Sequence, residues 1–171
     1  QQLVADTSFA PPAALITIGE AAGRRVAFLP RHGRHHTLPP HRVPYRANAW
    51  ALRELGVRAI YGPCASGSLR AEMAPGDFVV PDQIVDRTAG RSSSFHDGPE
   101  SAPGIAPVDH LTFADPYDDQ LRTVAVAACR AEGVTVHEGG TVVVIEGPRF
   151  STRAESRWYA AQGWEVINMT Q

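Results

Sequence analysis

The sequence predicts an α/β protein built on a mixed, partly parallel twisted sheet that is flanked by helices. Three observations support this prediction. Apolar, strand-like runs alternate with helix-like segments, glycines follow the predicted helices, and residues 141–145 form a β-branched run of the kind that is buried on both faces of a sheet. The length of 171 residues predicts a single domain over residues 1–171.

The first half of the chain predicts a hairpin, a helix and a short strand. Apolar runs at residues 14–20 and 24–29 flank a tight turn, which indicates an antiparallel pair. Residues 45–55 contain good helix formers and stop before Gly56, a residue that is favoured directly after helices. Residues 59–61 are predicted to form a short buried strand ahead of a loop of small residues.

The second half continues the alternation of strands and helices. The predicted strands are residues 78–80, 83–85, 141–145 and 164–167. The predicted helices are residues 121–132 and 153–162, each followed by a glycine. Residues 87–107 differ from both, because their serine, glycine and proline content predicts a long mobile loop.

The overall composition describes an ordinary soluble globular protein. A hydrophobic content of 43% and a net charge of −2 favour a packed core and argue against a nucleic-acid binder. No apolar run is long enough for a membrane span and no amino-terminal signal pattern is present, so the sequence predicts a cytoplasmic protein with no membrane partner. Cys64 and Cys129 match no metal-binding spacing and are more typical of thiols than of a disulfide framework.

The basic residues narrow the chemistry. All 16 are arginine and none is lysine. Schiff-base chemistry on a lysine is therefore excluded, as is a phosphate-binding loop that needs one. Phosphate would have to be held by other groups.

Residues 31–37, which read Arg-His-Gly-Arg-His-His-Thr, are the strongest candidate for a binding site. They follow an apolar run and bring guanidinium groups, imidazoles and a flexible glycine to a strand end, which predicts a site for a phosphate-like anion. The histidines at positions 32, 35 and 36 either contact a ligand or are solvated loop residues. A metal site is the weaker interpretation, because no second cluster of Cys and His supplies further ligands.

Four segments follow predicted strands and are candidates for one shared pocket. They are residues 31–33, 64–67, 146–150 and 168–170. Together they offer arginine, small residues that expose backbone, an aromatic ring and a hydroxyl, which suits an anion beside a flat apolar group. Other interpretations stay open: Glu146 and Arg149 form a structural ion pair, Cys64 is a packed thiol, or Phe150 and Met169 are core residues.

The motifs, taken in order, resemble the trimeric purine nucleoside phosphorylase family, and in particular its methylthioadenosine phosphorylase branch. The matching segments are residues 31–37, 43–52, 67–69, 75–77, 82–83, 86–88, 146–156 and 168–170. They extend through nearly the whole chain.

The resemblance implies a pentosyltransferase that carries out phosphorolysis. The implied substrates are 5′-methylthioadenosine and phosphate, and the products are adenine and 5-methylthioribose 1-phosphate. Inorganic phosphate is then a co-substrate, with no cofactor and no metal. Two alternatives stay open: a phosphorylase for inosine or guanosine, and a truncated, non-catalytic homologue that binds phosphate or nucleoside.

The resemblance also implies a role for individual residues. Arg31 and His32 match phosphate ligands with a catalytic role, Thr170 matches a phosphate-binding hydroxyl, and the backbone of Cys64 and Ala65 lies at the phosphate, with Ala65 also beside the substrate. Met169 matches the residue under the ribose, Phe150 the residue that stacks on the purine, and Ile167 and Asn168 line the base region. His36 matches a histidine near the phosphate, and Ser66 takes no role.

His110 matches a histidine that a neighbouring subunit contributes near the 5′ substituent, which implies a homotrimer. Members of the family normally begin with a glycine-rich strand-turn and end with acidic residues that recognise the purine. The resemblance therefore implies that the domain is incomplete at both termini. Base preference, 5′ substituent and order of binding are not specified by these residues.

Overall fold

A computed structural model of the chain describes residues 2, 3, 7 and 9–171. The chain divides into two compact units, Gln1–Ile60 with Gly90–Leu111 and Tyr61–Ala89 with Thr112–Gln171. The single domain over residues 1–171 stays a prediction.

An antiparallel sheet of three strands forms part of the first unit. The strands are β1 (Gln2–Leu3), β2 (Ile16–Ala21) and β3 (Arg24–Phe28), in that order. A tight turn joins β2 to β3, with Ala22 at φ 50° and Gly23 at φ 71°. Two successive positive φ angles match the turn whose twist suits a hairpin. The predicted hairpin is confirmed.

Helix α1 (Tyr45–Glu54) lies in the same unit and confirms the predicted helix. The chain leaves the helix at Gly56, which adopts φ 74°. Trp50 is buried in a cluster with Phe9 and Phe95, with ring centroids 5.4 to 5.8 Å apart. This cluster supplies the apolar contacts that a single amphipathic helix needs for stability.

Residues 90–107 belong to the first unit and contain one 3₁₀ turn at Gly98–Glu100. Ala102 is buried, and Asp97 pairs with Arg46 of α1 at 2.7 Å. The segment therefore has defined packing contacts in this structure. The mobility expected for residues 87–107 stays a prediction.

The second unit contains the mixed sheet. Its strands are β4 (Gly67–Ser68), β6 (Gln83–Arg87), β8 (Thr141–Ile145) and β9 (Val166–Asn168), in the spatial order β4, β9, β8, β6. Strands β6, β8 and β9 are parallel, and β4 adds antiparallel to β9. The remaining pair, β5 (Phe78–Val80) and β7 (Val136–Glu138), is parallel. The predicted mixed, partly parallel α/β architecture is confirmed.

Strand β8 lies at the centre of this unit and is buried on both faces. Val142 and Val144 pack with Val166 in one cluster, whereas Val143 packs with Ile145 and Tyr159 in another. Alternate residues of a strand point to opposite faces, which explains why consecutive valines enter different clusters. The continuous β-branched run therefore has the two-faced burial that the sequence predicts.

Two helices complete the second unit. Helix α2 (Asp119–Ala131) begins at Asp118, whose side chain accepts a hydrogen bond from the backbone of Leu121 at 2.8 Å. Helix α3 (Arg153–Ala161) begins with a capping box in which Thr152 and Glu155 each accept from the other's backbone N–H. Both predicted helices are confirmed.

The predicted buried strand at residues 59–61 is wrong. Residues 57–66 form no regular element, and Ile60 and Tyr61 are 58% and 56% exposed. A strand needs a hydrogen-bonded neighbour, and the described residues provide none for this segment. Strands β4 and β7 were not predicted, because two or three residues with polar members give too short a pattern to detect.

Candidate functional site

One edge of the mixed sheet gathers three of the four segments predicted to share a pocket. Because β8 and β9 are parallel, the residues that follow them, 146–150 and 169–170, lie at the same edge. Strand β4 is antiparallel to β9, so residues 64–66, which lead into β4, also lie at that edge. Ligands of open α/β sheets bind outside the carboxyl ends of parallel strands, so this edge is the candidate site of the second unit.

The residues before β4 run alongside the residues at the end of β9. The ladder pairs Gly67 with Ile167 and Ser68 with Val166. In the same register, the Cys64 sulfur lies 3.6 Å from the Thr170 hydroxyl. Cys64, whose backbone the resemblance assigns to phosphate, and Thr170, whose hydroxyl it assigns there, are therefore directly opposite each other.

The next pair along the same register is Ser66 and Asn168. The Asn168 amide nitrogen donates to the Ser66 hydroxyl at 3.3 Å, and that hydroxyl donates to the backbone carbonyl of Cys64 at 3.3 Å. Asn168 is only 6% exposed. The residues 64–67 and 167–170, called here the site ribbon, are thus joined by both side-chain and backbone bonds.

Gly67 allows the two halves of the site ribbon to approach closely. A Cβ at this position would lie 3.1 Å from the Ile167 Cγ2 methyl. Ile167 and Met169 are themselves partly buried against the cluster of Val143, Ile145 and Tyr159. The rear of the ribbon is therefore fixed to the hydrophobic core.

The remaining residues at this edge combine charge with an exposed ring. Arg149 donates to both carboxylate oxygens of Glu155, at 2.7 and 2.8 Å. These hydrogen bonds, together with one from the Thr152 backbone N–H, lower the pKa of Glu155 to about 2. Glu146 instead accepts from the backbone of Ala89 at 2.9 Å. The interpretation in which Glu146 pairs with Arg149 is therefore corrected: Arg149 pairs with Glu155.

A cleft of about 200 Å³ lies between these groups, lined among others by Arg87, Glu146, Arg149 and Tyr159. Phe150, which follows Arg149, is 85% exposed. Such exposure of a large aromatic ring beside polar groups leaves a flat apolar face at the carboxyl edge of the sheet.

The anion-site candidate of residues 31–37 lies in the first unit. Its chain reversal is held by backbone bonds from Gly33 to Pro30 and from Leu38 to His32, each 2.9 Å long. Gly33 has φ 80°, and a Cβ there would lie 3.0 Å from the hydroxyl of Thr37. Glycine is therefore required at the centre of the turn.

The imidazole of His32 is held in a defined orientation. Its Nδ1 atom lies 2.8 Å from the carbonyl oxygen of Leu38, and its ring stacks on that of His36 with centroids 4.6 Å apart. A carbonyl oxygen only accepts, so Nδ1 carries the hydrogen. Both histidines and Arg31 belong to one turn, as the sequence predicts.

His110 also lies in the first unit and is exposed, with its backbone N–H bonded to the Asp109 side chain at 2.8 Å. Its apolar neighbours Val108 and Leu111 are 68% and 71% exposed. Arg31, His32 and His110 thus belong to the first unit, and the other assigned residues to the second.

The sequence analysis gives Ser66 no role and does not predict its contact with Asn168. Only the register of the site ribbon brings these two side chains together. Polar residues occupy alternate positions in both segments, at 64, 66 and 68 and at 168 and 170. This pattern could have indicated that the two segments pair as strands.

Within the described part of the chain, no three His, Cys, Asp or Glu side chains converge in a way that could hold a metal ion. None of the helices in that part has the length and apolar character to span a membrane.

Comparison with known proteins gives a consistent set of relatives. The sequence model of the Phosphorylase superfamily matches residues 1–171. The chain is 55% identical over 166 residues to a purine nucleoside phosphorylase of Streptomyces coelicolor, and 54% identical over 165 residues to an S-methyl-5′-thioadenosine phosphorylase of Mycolicibacterium smegmatis. Each comparison covers 96% of this chain and 59% of the relative, so the chain spans about three fifths of the length of these curated relatives.

A solved structure agrees with the sequence comparison. Methylthioadenosine phosphorylase from Schistosoma mansoni, in complex with adenine, is similar to this chain with a TM-score of 0.94 and 36% identity. The match covers 99% of this chain and 66% of that one.

Proposed function

Because the chain belongs to the phosphorylase superfamily, we propose that it acts as a pentosyltransferase that cleaves a purine nucleoside with inorganic phosphate. The observation on which the proposal rests is the direct opposition of Cys64 and Thr170 at the carboxyl edge of a parallel sheet, with a 3.6 Å sulfur-to-oxygen distance. This contact brings the backbone of residues 64 and 65 and the Thr170 hydroxyl together at an edge where such sheets bind ligands.

In the proposed reaction, a phosphate oxygen forms a bond to the anomeric carbon of the sugar while the bond from that carbon to the purine nitrogen breaks. The bonding electrons leave with the purine, which takes up a proton. In the balanced reaction this is the proton that hydrogen phosphate loses when it becomes the sugar 1-phosphate dianion. Positive charge develops on the sugar in the transition state, so a phosphate dianion held beneath it is both nucleophile and counter-charge.

The proposed phosphate ligands are the residues that the family resemblance assigns to phosphate. Arg31 supplies a guanidinium fork and His32 an imidazole from the first unit. In the second unit Thr170 supplies a hydroxyl, and Cys64 and Ala65 supply their backbone. These groups form hydrogen bonds to oxygen without forming a covalent intermediate.

The sugar and base contacts are proposed in the second unit. Met169 would lie against the ribose and Ala65 beside the substrate, Phe150 would stack on the purine, and Ile167 and Asn168 would line the base region. The exposure of the Phe150 ring supports the proposed stacking, because a purine offers a flat apolar face to such a ring.

We propose 5′-methylthioadenosine as the nucleoside. The names of the Mycolicibacterium relative and of the Schistosoma protein support this choice, and the adenine in the latter's structure supports a purine product. The Streptomyces relative favours a purine nucleoside phosphorylase as the second candidate. Phosphate would be a co-substrate without a further cofactor, and the enzyme a cytoplasmic homotrimer in purine and methionine salvage.

A nucleoside panel tests this proposal. The intact protein is assayed with 5′-methylthioadenosine, adenosine, inosine and guanosine, each with and without phosphate, and the free base is measured by chromatography. We expect phosphate-dependent release of adenine from 5′-methylthioadenosine. Faster cleavage of inosine would favour the second candidate, and no release from any nucleoside would favour a non-catalytic binding protein.

Arg31→Lys is the most specific test of the proposed phosphate site. Lysine keeps the charge but loses the two-pronged geometry, so the KM for phosphate should rise about tenfold or more while the KM for the nucleoside changes much less. Arg34→Lys, an exposed position in the same turn, is the matched control and should leave both constants near their wild-type values. Equal rises in both constants for Arg31→Lys would count against its role.

A further inference from the structure

We infer that Ser66 and Asn168 form a positioning pair that orients the Cys64–Ala65 peptide toward phosphate. The inference rests on the proposed function and gives it a further residue, Ser66. Neither side chain needs to touch phosphate for this role.

The register of the site ribbon places the two pairs in order. Cys64 faces Thr170 and Ser66 faces Asn168, and members of successive pairs are two residues apart on each chain segment. Side chains two apart in an extended segment lie on the same face. The Ser66–Asn168 pair is therefore the neighbour of the Cys64–Thr170 pair on one face of the ribbon.

The Ser66 hydroxyl has both of its main hydrogen-bonding capacities in use. It donates its hydrogen to the Cys64 carbonyl at 3.3 Å and accepts from the Asn168 amide at 3.3 Å. Asn168 is only 6% exposed, so its side chain cannot freely replace this hydrogen bond with one to water. The three residues form a continuous chain of hydrogen bonds from the end of β9 to the Cys64 backbone.

The geometry of the peptide bond transmits this contact to the proposed ligand. The carbonyl of Cys64 and the N–H of Ala65 belong to one planar trans peptide and point in opposite directions. Holding the carbonyl toward Ser66 therefore directs the Ala65 N–H away from Ser66. Without the Ser66 hydroxyl this peptide is free to rotate. The hydrogen bond from the Ala65 N–H to phosphate is then weakened more than the contacts with the nucleoside.

The test is the kinetic behaviour of Ser66→Ala in the intact protein. We expect the KM for phosphate to rise about five- to tenfold, as for the loss of one hydrogen bond, while the KM for 5′-methylthioadenosine stays within about twofold. Ser66→Thr keeps the hydroxyl and should restore the KM for phosphate. Ser68→Ala is the matched control, because the Ser68 hydroxyl bonds to the Arg70 backbone and not to the pair.

Asn168→Asp is a second, independent variant. A carboxylate accepts the Ser66 hydrogen instead of donating to its oxygen, so the hydroxyl turns away from Cys64 and the same rise in the KM for phosphate is expected. Because Asn168 is also proposed to line the base region, the KM for 5′-methylthioadenosine changes as well in this variant, and Ser66→Ala alone tests the separation of the two constants. Thermal unfolding of every variant separates this effect from a general loss of stability.

An unchanged KM for phosphate in Ser66→Ala, or equal changes in both KM values, would overturn the positioning pair. So would a loss of thermal stability with unaltered kinetics. If the wild-type protein itself releases no base in the presence of phosphate, the proposed function is wrong and this inference fails with it. Activity of the wild-type protein therefore distinguishes the two failures.

Discussion

At the scale of single residues, His32 illustrates how one hydrogen bond limits what a side chain offers to a ligand. Its Nδ1 atom donates to the Leu38 carbonyl, so any contact with phosphate is made through Nε2. The structural role and the proposed binding role of the ring are therefore carried by different atoms. Two substitutions can separate them.

His32→Asn places an amide nitrogen near the position of Nδ1 and removes Nε2. We expect the KM for phosphate to rise about tenfold, with the free energy of unfolding within about 0.5 kcal/mol of wild type. His32→Gln keeps the reach of Nε2 but loses the bond to Leu38, which should cost about 0.5–1.5 kcal/mol of unfolding free energy. Steady-state kinetics and urea unfolding measure the two effects, and identical behaviour of both variants would contradict the division of roles.

Asp77 shows how hydrogen bonds to a carboxylate contribute to the stability of the fold. Its carboxylate accepts from His137 Nε2 at 2.8 Å and from the backbone of Ala74 at 2.9 Å, and these two hydrogen bonds lower its pKa. A carboxyl group with a lowered pKa in the folded state stabilises the fold above the ordinary carboxyl pKa. That contribution is lost as the pH falls through the lowered value.

Asp77→Asn should therefore be less stable than wild type near neutral pH, and the difference should narrow as the pH is lowered through the acidic range. Urea unfolding of both proteins from about pH 7 to about pH 3 measures this trend. Asp86→Asn, at an exposed position of β6, is the control and should show a smaller dependence. A difference that stays constant with pH would mean that the Asp77 carboxylate does not contribute through its charge.

At the scale of elements, most of the secondary structure follows from local patterns. The hairpin, the three α-helices and strand β8 agree with the sequence predictions, because their side-chain periodicity and the glycines that follow them act over a few residues. The strand expected at residues 59–61 did not form, since a three-residue apolar run cannot by itself provide a partner strand.

The β2–β3 turn provides a stability test. Ala22 has φ 50°, a conformation that costs alanine about 1 kcal/mol but suits asparagine before glycine. Ala22→Asn should therefore raise the free energy of unfolding by about 0.5–1 kcal/mol. Ala21→Asn, one residue earlier in β2, is the control and should give no gain, because strands disfavour asparagine. Equal effects of the two substitutions in urea unfolding would contradict this account.

At the scale of the whole molecule, assembly is the property to test. His110 is exposed between Val108 and Leu111, and exposed apolar side chains of this kind are typical of surfaces that contact another chain. This agrees with the proposal that His110 completes the active site of a neighbouring subunit in a homotrimer.

Mixing two inactive proteins tests the shared site. Trimers formed from equal amounts of His110→Ala and Arg31→Ala subunits should recover activity in roughly a quarter of their sites, where intact residues from two subunits meet. Homotrimers of each variant refolded alone are the controls. Absence of recovery in oligomers shown by native mass spectrometry to be mixed would exclude a shared site.

The candidate site was predictable in part. The position of residues 146–150 and 168–170 after strands follows from the strand pattern, and the parallel order of β8 and β9 brings them to one edge. The pairing of Arg149 with Glu155 and the contact of Ser66 with Asn168 were not predictable, because each depends on how particular side chains are oriented in the folded unit.

The sequence by itself determined the α/β class, the helices and the family resemblance, since these depend on residue types and their spacing along the chain. The tertiary structure alone decided the register that sets Cys64 opposite Thr170 and Ser66 opposite Asn168, across about a hundred residues of sequence. Such a register is set by hydrogen bonds between strands and by core packing beneath them. Those interactions exist only once the chain has folded.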